Sequence, residues 1–207
     1  NSFDYGSLPG DVRLTTFMAS PTLEPSIATG RTTLRAMPYS EIGELLSRTE
    51  FDTAIFQTSL PDAQGRYSFA HSCDMPPVVW PNARTKILFV NEQMRSLDHA
   101  EGIPSDAVDL AVPINEPLLS PAPSGPRSAA VDTIAKLVAG LVPDGATFQA
   151  GIGDTPAAVV SALRLHRGLK VHSGIITQEY QQLAESGALD AGVPHVAGIA
   201  WGDAAFR

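Results

Sequence analysis

Gly151-Ile152-Gly153 is the stretch whose residue types and spacing best fit a binding or catalytic role. Two glycines let a backbone come close to a ligand, and the free N–H groups of a helix start favour an anion. A helix is expected to follow at once, with Asp154 or Thr155 as its cap and Pro156 at the first position, where a missing N–H costs nothing. A tight strand-to-helix turn needs the same residues, so the two readings are compatible. Gln149, at the end of the preceding strand, can donate to a carbonyl oxyanion or pair with a neighbouring loop. Two residues argue against a plain dinucleotide fold: Pro156 stands where its third glycine belongs, and Gly174 ends the next strand where a ribose needs an acid.

Other candidates surround that turn. Glu179 is the nearest carboxylate downstream of Gly174. It can act on a substrate, or it can lie in the first turn of a helix capped by Thr177, where an acid stabilises the dipole. His172 and Ser173 are adjacent on a strand, so they point to opposite faces and cannot pair as base and nucleophile. Arg164, His166, Arg167 and Lys170 gather near a helix end. They can meet phosphates, but the end of a helix that favours phosphate is the other one, so pairing with the C-terminal dipole is expected. His71, His99 and His195 have no metal-ligand spacing and are read as structural.

These residues need a strand–helix–strand unit to hold them. Residues 146–150 form a short β-prone run, Gly168 suits the position after a helix, and 169–173 then return as a parallel strand. On the intervening helix, Val159, Leu163 and Leu165 are expected to face the sheet. Upstream, strands are expected at 12–18, 31–36, 52–58, 67–72, 86–91 and 106–112, with 52–58 in the interior of a parallel sheet. Residues 20–30 carry Pro21 and Pro25 and are expected to be a loop, followed by a short helix capped by Ser40. Three prolines in 74–82 argue against a long helix. Pro117, Pro121, Pro123 and Pro126 mark a linker, which divides the chain into domains 1–124 and 125–207. A helix is expected over 127–142, burying Val131, Ile134, Leu137, Val138 and Leu141. A last strand is expected at 195–201.

Composition narrows the classes. Hydrophobic residues make up 43% and charged residues 17%, as in a globular protein with a real core. A net charge of −8 argues against non-specific nucleic-acid binding, so an anionic ligand must meet a local cationic patch. Cys73 is the only cysteine, which rules out an intrachain disulfide and a cysteine-only metal cluster. No apolar run approaches eighteen residues, and a soluble cytoplasmic protein is expected.

Asp144-Gly145, Gln149, Gly151-Ile152-Gly153, Pro156 and Ala158-Val159, in this spacing, resemble the signature of the acetyl-CoA hydrolase/transferase family, which includes 4-hydroxybutyrate and acetate CoA-transferases. Ser59-Leu60-Pro61-Asp62 with Gly65, Val90-Asn91 with Met94, and Val171-His172-Ser173 agree. The resemblance implies an α/β fold of open, mostly parallel sheets with flanking helices, the second domain incomplete, and a site between the domains. It implies coenzyme A as acyl-CoA substrate, met by Gly151, Ile152 and Gly153, with Gln149 and Glu179 as catalytic candidates. It implies acyl-CoA and carboxylate partners, and a homo-oligomer or a partner chain completing the second domain. The family's catalytic glutamate corresponds to Gly174, and glycine cannot attack a thioester. Two outcomes are therefore expected: an enzyme moving or hydrolysing CoA thioesters, or a degenerate CoA-binding or structural subunit or fragment needing a partner half.

Overall fold

The computed structural model describes residues 3–97, 102–121, 125–203 and 206; His99 and the linker's Pro123 lie outside them. The chain divides into two compact units, Asn1–Thr49 and Glu50–Arg207.

In the first unit, β1 (Leu14–Thr16) pairs in parallel with β2 (Thr32–Leu34). The connection expected to be a loop contains a 3-10 turn, Pro21–Leu23, and helix α1, Glu24–Ala28. Pro21 and Pro25 each sit in a first turn, where no N–H is needed, so they start helical structure here instead of preventing it. Helix α2 spans Tyr39–Ser47 with Pro38 at its cap position, so Ser40 lies inside the helix and does not cap it.

The second unit holds two three-stranded parallel sheets. The first contains β3 (Phe51–Thr58), β5 (Ala83–Asn91) and β7 (Leu110–Ile114), in the order β3-β5-β7. The run expected to be interior is thus an edge strand, and 86–91 lies within the middle one. One face of β3 is open, with Ile55 exposed; apolar residues along a strand do not reveal how many neighbours it has. On the other face, Ala54, Leu88 and Val90 pack with Phe69, Trp80 and Ile103. Phe56, Phe69 and Trp80 meet at centroid distances of 5.5, 6.3 and 6.0 Å. Between these strands, β4 (Arg66–Tyr67) and β6 (Ile103–Pro104) form a two-residue antiparallel ladder, and helix α3 is only Pro76–Val79.

The second sheet follows α4 (Ala129–Ala139) and contains β8 (Thr147–Phe148), β9 (Lys170–Thr177) and β10 (Val196–Trp201), in the order β10-β9-β8. Helices α5 (Asp154–Ala162) and α6 (Gln178–Glu185) flank it. The core beneath is Val160, Leu163, Leu169, Val171, Tyr180 and Leu183. The ring of Phe148 stacks on Tyr180 at 5.7 Å.

Two expectations about apolar stripes fail here. α4 buries Ala135 and Ala139, while Leu137 is 68% and Leu141 83% exposed. Small side chains let α4 lie close against α5, and that approach turns its larger residues outward. Leu165 is likewise 80% exposed, since the chain leaves α5 through a 3-10 turn at Leu163–Leu165 and the 100° periodicity ends.

The boundary expected at 124/125 lies along the chain between β7 and α4, inside the second compact unit. A mixed α/β fold with mostly parallel sheets is what the sequence led one to expect. Among the described residues no helix is long and apolar enough to cross a membrane.

Candidate functional site

The second sheet has two unlike faces at the carboxyl ends of its strands, where ligands of open α/β folds collect. Along β9, Val171 and Ser173 are buried and His172 and Gly174 are exposed. The first pair belongs to the face covered by helices. Ser173 Oγ donates to Ile175 O at 2.7 Å and lies 3.4 Å from Ala150 O, so it is a buried packing residue.

On the covered side is a cavity of about 500 Å³, lined by Gly151, Ile152, Gly153, Ile175, Glu179 and Trp201 among others. Gly153 has φ 117° and caps α5, which begins at Asp154. Neither Asp154 nor Thr155 serves as cap, and Pro156 is the third helical residue. A left-handed glycine already turns the chain, so no side chain is needed to do it. The N–H groups of the first helical turn lie at this cavity, an arrangement that attracts an anion, while Asp154, Glu179 and Asp203 line it with acidic side chains and no described cationic side chain does.

Glu179 lines the same cavity and sits in the first turn of α6. Thr177, at the cap position of α6, does not accept from the backbone. Its hydroxyl donates to Glu179 Oε2 at 2.6 Å. Arg127 NH2 lies 3.9 Å from Glu179 Oε1 and 3.4 Å from Ser161 Oγ on α5. The sequence reading did not single out Arg127, because nothing local links a residue just after the proline-rich stretch to α6.

Gln149 goes elsewhere. It is exposed and follows directly on β8, whose register is Phe148↔Val171. Continued by one residue, that register sets Gln149 beside His172, on the open face that also contains Gly174. The structure thus brings Gly151, Ile152, Gly153 and Glu179 together, and Gln149 stands on the other side. A Cβ built at Gly174 meets no described atom within 4 Å.

The cationic cluster closes a turn. His166 Nε2 lies 2.9 Å from Val142 O and 3.2 Å from Ala139 O, at the end of α4. Lys170 Nζ donates to Gly145 O, and the Arg167 amide donates to Asp144 Oδ1. His195 Nδ1 accepts the Val171 N–H at 3.2 Å, a structural contact. Among the described residues no group of histidine, cysteine or acidic side chains could hold a metal ion.

No family model matches the chain. It is 29% identical over 190 residues to a succinyl-CoA:acetate/propanoyl-CoA:succinate CoA transferase of Fasciola hepatica, covering 90% of this chain and 40% of that protein. It is 34% identical over 145 residues to a 4-hydroxybutyrate coenzyme A transferase of Clostridium kluyveri, covering 69% of this chain and 33% of that protein. A crystal structure of a 4-hydroxybutyrate CoA-transferase from Porphyromonas gingivalis matches 94% of this chain and 52% of its own, with a TM-score of 0.79 and 25% identity. The chain spans well under two thirds of the length of each.

Proposed function

We propose, on the premise that this chain belongs to the CoA-transferase family, that it acts on the thioester of a short acyl-CoA. The observation that carries this reading is the cavity at Gly151-Ile152-Gly153, where a bare backbone turn opens a helix onto an open pocket. In this reading the CoA phosphates meet the start of α5. The pantetheine arm crosses the carboxyl end of β8, where glycine leaves the backbone uncovered. Gln149 donates to the thioester oxygen on the open face. Glu179, held by Thr177 and Arg127, serves the cavity side, and the two do not converge on one carbonyl. With glycine at 174, water is the acceptor that the residues favour over an enzyme-bound acyl group.

The test is incubation with acetyl-CoA, with and without a second carboxylate, followed by chromatography of free CoA and intact-protein mass spectrometry. Free CoA without a protein adduct is expected. A stable CoA adduct would contradict the role given to Gly174. Binding without turnover would favour a degenerate CoA-binding subunit, and no binding would end the CoA assignment for this chain.

A further inference from the structure

We infer that Asp74 is the catalytic carboxylate of this site, acting as general base over a floor made by Gly174 and Gly198; this rests on the acyl-CoA reading above. Residues 71–74 run along the edge of β10. Ser72 bridges Ile199 in antiparallel fashion, the Cys73 N–H donates to Gly198 O at 2.8 Å, and the Ala200 N–H donates to His71 O at 2.9 Å. This segment is therefore fixed to the second sheet by backbone bonds. Asp74 follows directly, half-buried, and its Oδ1 accepts from Ser72 Oγ at 2.9 Å.

Gly198 stands beside Gly174, since Ala197↔Ser173 and Ile199↔Ile175 are register partners on either side. Both glycines belong to one face. A Cβ at Gly198 would lie 3.5 Å from Asp74 Cβ and 3.2 Å from Gly174 O. The Asp74 side chain is thus rooted over the neighbouring strand, while the space above Gly174 holds no described atom within 4 Å. Gln149 borders the same face beyond His172. Asp74 beside Gly198 of β10, the position above Gly174 of β9 with no described atom within 4 Å, and Gln149 after β8, one step away beside His172, follow one another across the sheet, an order that suits a base, an attacked carbon and an oxyanion donor. Asp74 is separated by exactly one hundred residues of chain from the position whose carboxylate the resemblance leads one to expect, so only folding brings them together.

The step is a hydrolysis. The Asp74 carboxylate takes a proton from a water molecule as the water oxygen bonds to the thioester carbonyl carbon. The C–S bond then breaks, its electron pair leaves on sulfur, and Asp74 returns the proton to the thiolate. Thioester and water become carboxylic acid and free thiol, and the aspartate is unchanged.

Asp74→Asn in the full chain tests this with acetyl-CoA, following free CoA by chromatography and repeating the reaction in ¹⁸O-water. A fall in kcat on the order of 10²-fold or more is expected, with acetyl-CoA affinity nearly unchanged. Wild-type peptides containing Asp74 should carry no ¹⁸O. If the wild type releases no CoA, the acyl-CoA reading fails and this assignment falls with it. If the wild type is active and Asp74→Asn turns over within about threefold of it, the Asp74 assignment alone fails. Label in the Asp74 side chain would overturn the base in favour of direct attack. Should Asp74→Asn not fold, Ser72→Ala removes the hydroxyl that orients Oδ1; an unchanged kcat there overturns the assignment, and a fall supports it.

Discussion

The two faces of the second sheet are built from different residues for different ends. The covered face packs Val171, Leu169, Val160 and Leu183 with almost no exposure. The open face carries His172, Gly174 and Gly198, residues that fill little space or reach into solvent. The contrast runs through one β-strand: alternate residues of β9 turn to the covered face, which holds the core and the cavity at 151–153, and to the open face with its paired glycines. The first sheet also has an open face, at Ile55, and one closed by Phe56, Phe69 and Trp80, but its three strands contain no glycine.

The largest expected effect falls on the covered face. Leu183→Ala should cost about 2–5 kcal/mol of stability, measured by urea unfolding, because a fully buried leucine leaves a cavity. A cost below about 1 kcal/mol would mean that α6 is not packed as described. Gly153→Val comes next. It forces a branched residue to φ 117° and should cost roughly 1–3 kcal/mol, together with weaker acetyl-CoA binding by calorimetry. Unchanged binding would separate the turn from the ligand.

On the open face, Gly174→Glu should fold with a stability change within about 0.5 kcal/mol, since its Cβ meets no described atom within 4 Å. Its readout is the mass of the protein after acetyl-CoA: a CoA adduct in this variant alone would show a site lacking only its nucleophile. A large loss of stability would show that the face is covered.

The smallest effect concerns Cys73. Burial, and then the charge of Asp74, raise its thiol pKa above the ordinary value. Removing the Asp74 charge lets that pKa fall, so at a fixed pH near 8 more of the thiol is ionised. Asp74→Asn should therefore speed iodoacetamide labelling of Cys73 modestly. Slower or unchanged labelling would mean that Asp74 does not lie beside the thiol.

The turn at 151–153, the helix after it and the parallel strands were legible in the sequence, because glycine conformations, a proline in a first helical turn and β-prone runs act over a few residues. α5 begins two residues before the position that Pro156 marks, since proline is tolerated at more than one position of a first turn. The apolar residues of α4 do form a stripe, but the stripe is largely exposed: periodicity identifies an amphipathic face, and the neighbour decides which face is covered.

By itself, then, the sequence determined the local turns, the mixed α/β class and the family resemblance, all of which depend on residues close together in the chain. Only the tertiary structure decided that β3 lies at an edge, that Gln149 and Glu179 stand on opposite sides of a sheet, and that Asp74 sits over Gly198. Those facts follow from strand order and from backbone bonds between distant segments, and no pattern confined to one segment encodes them.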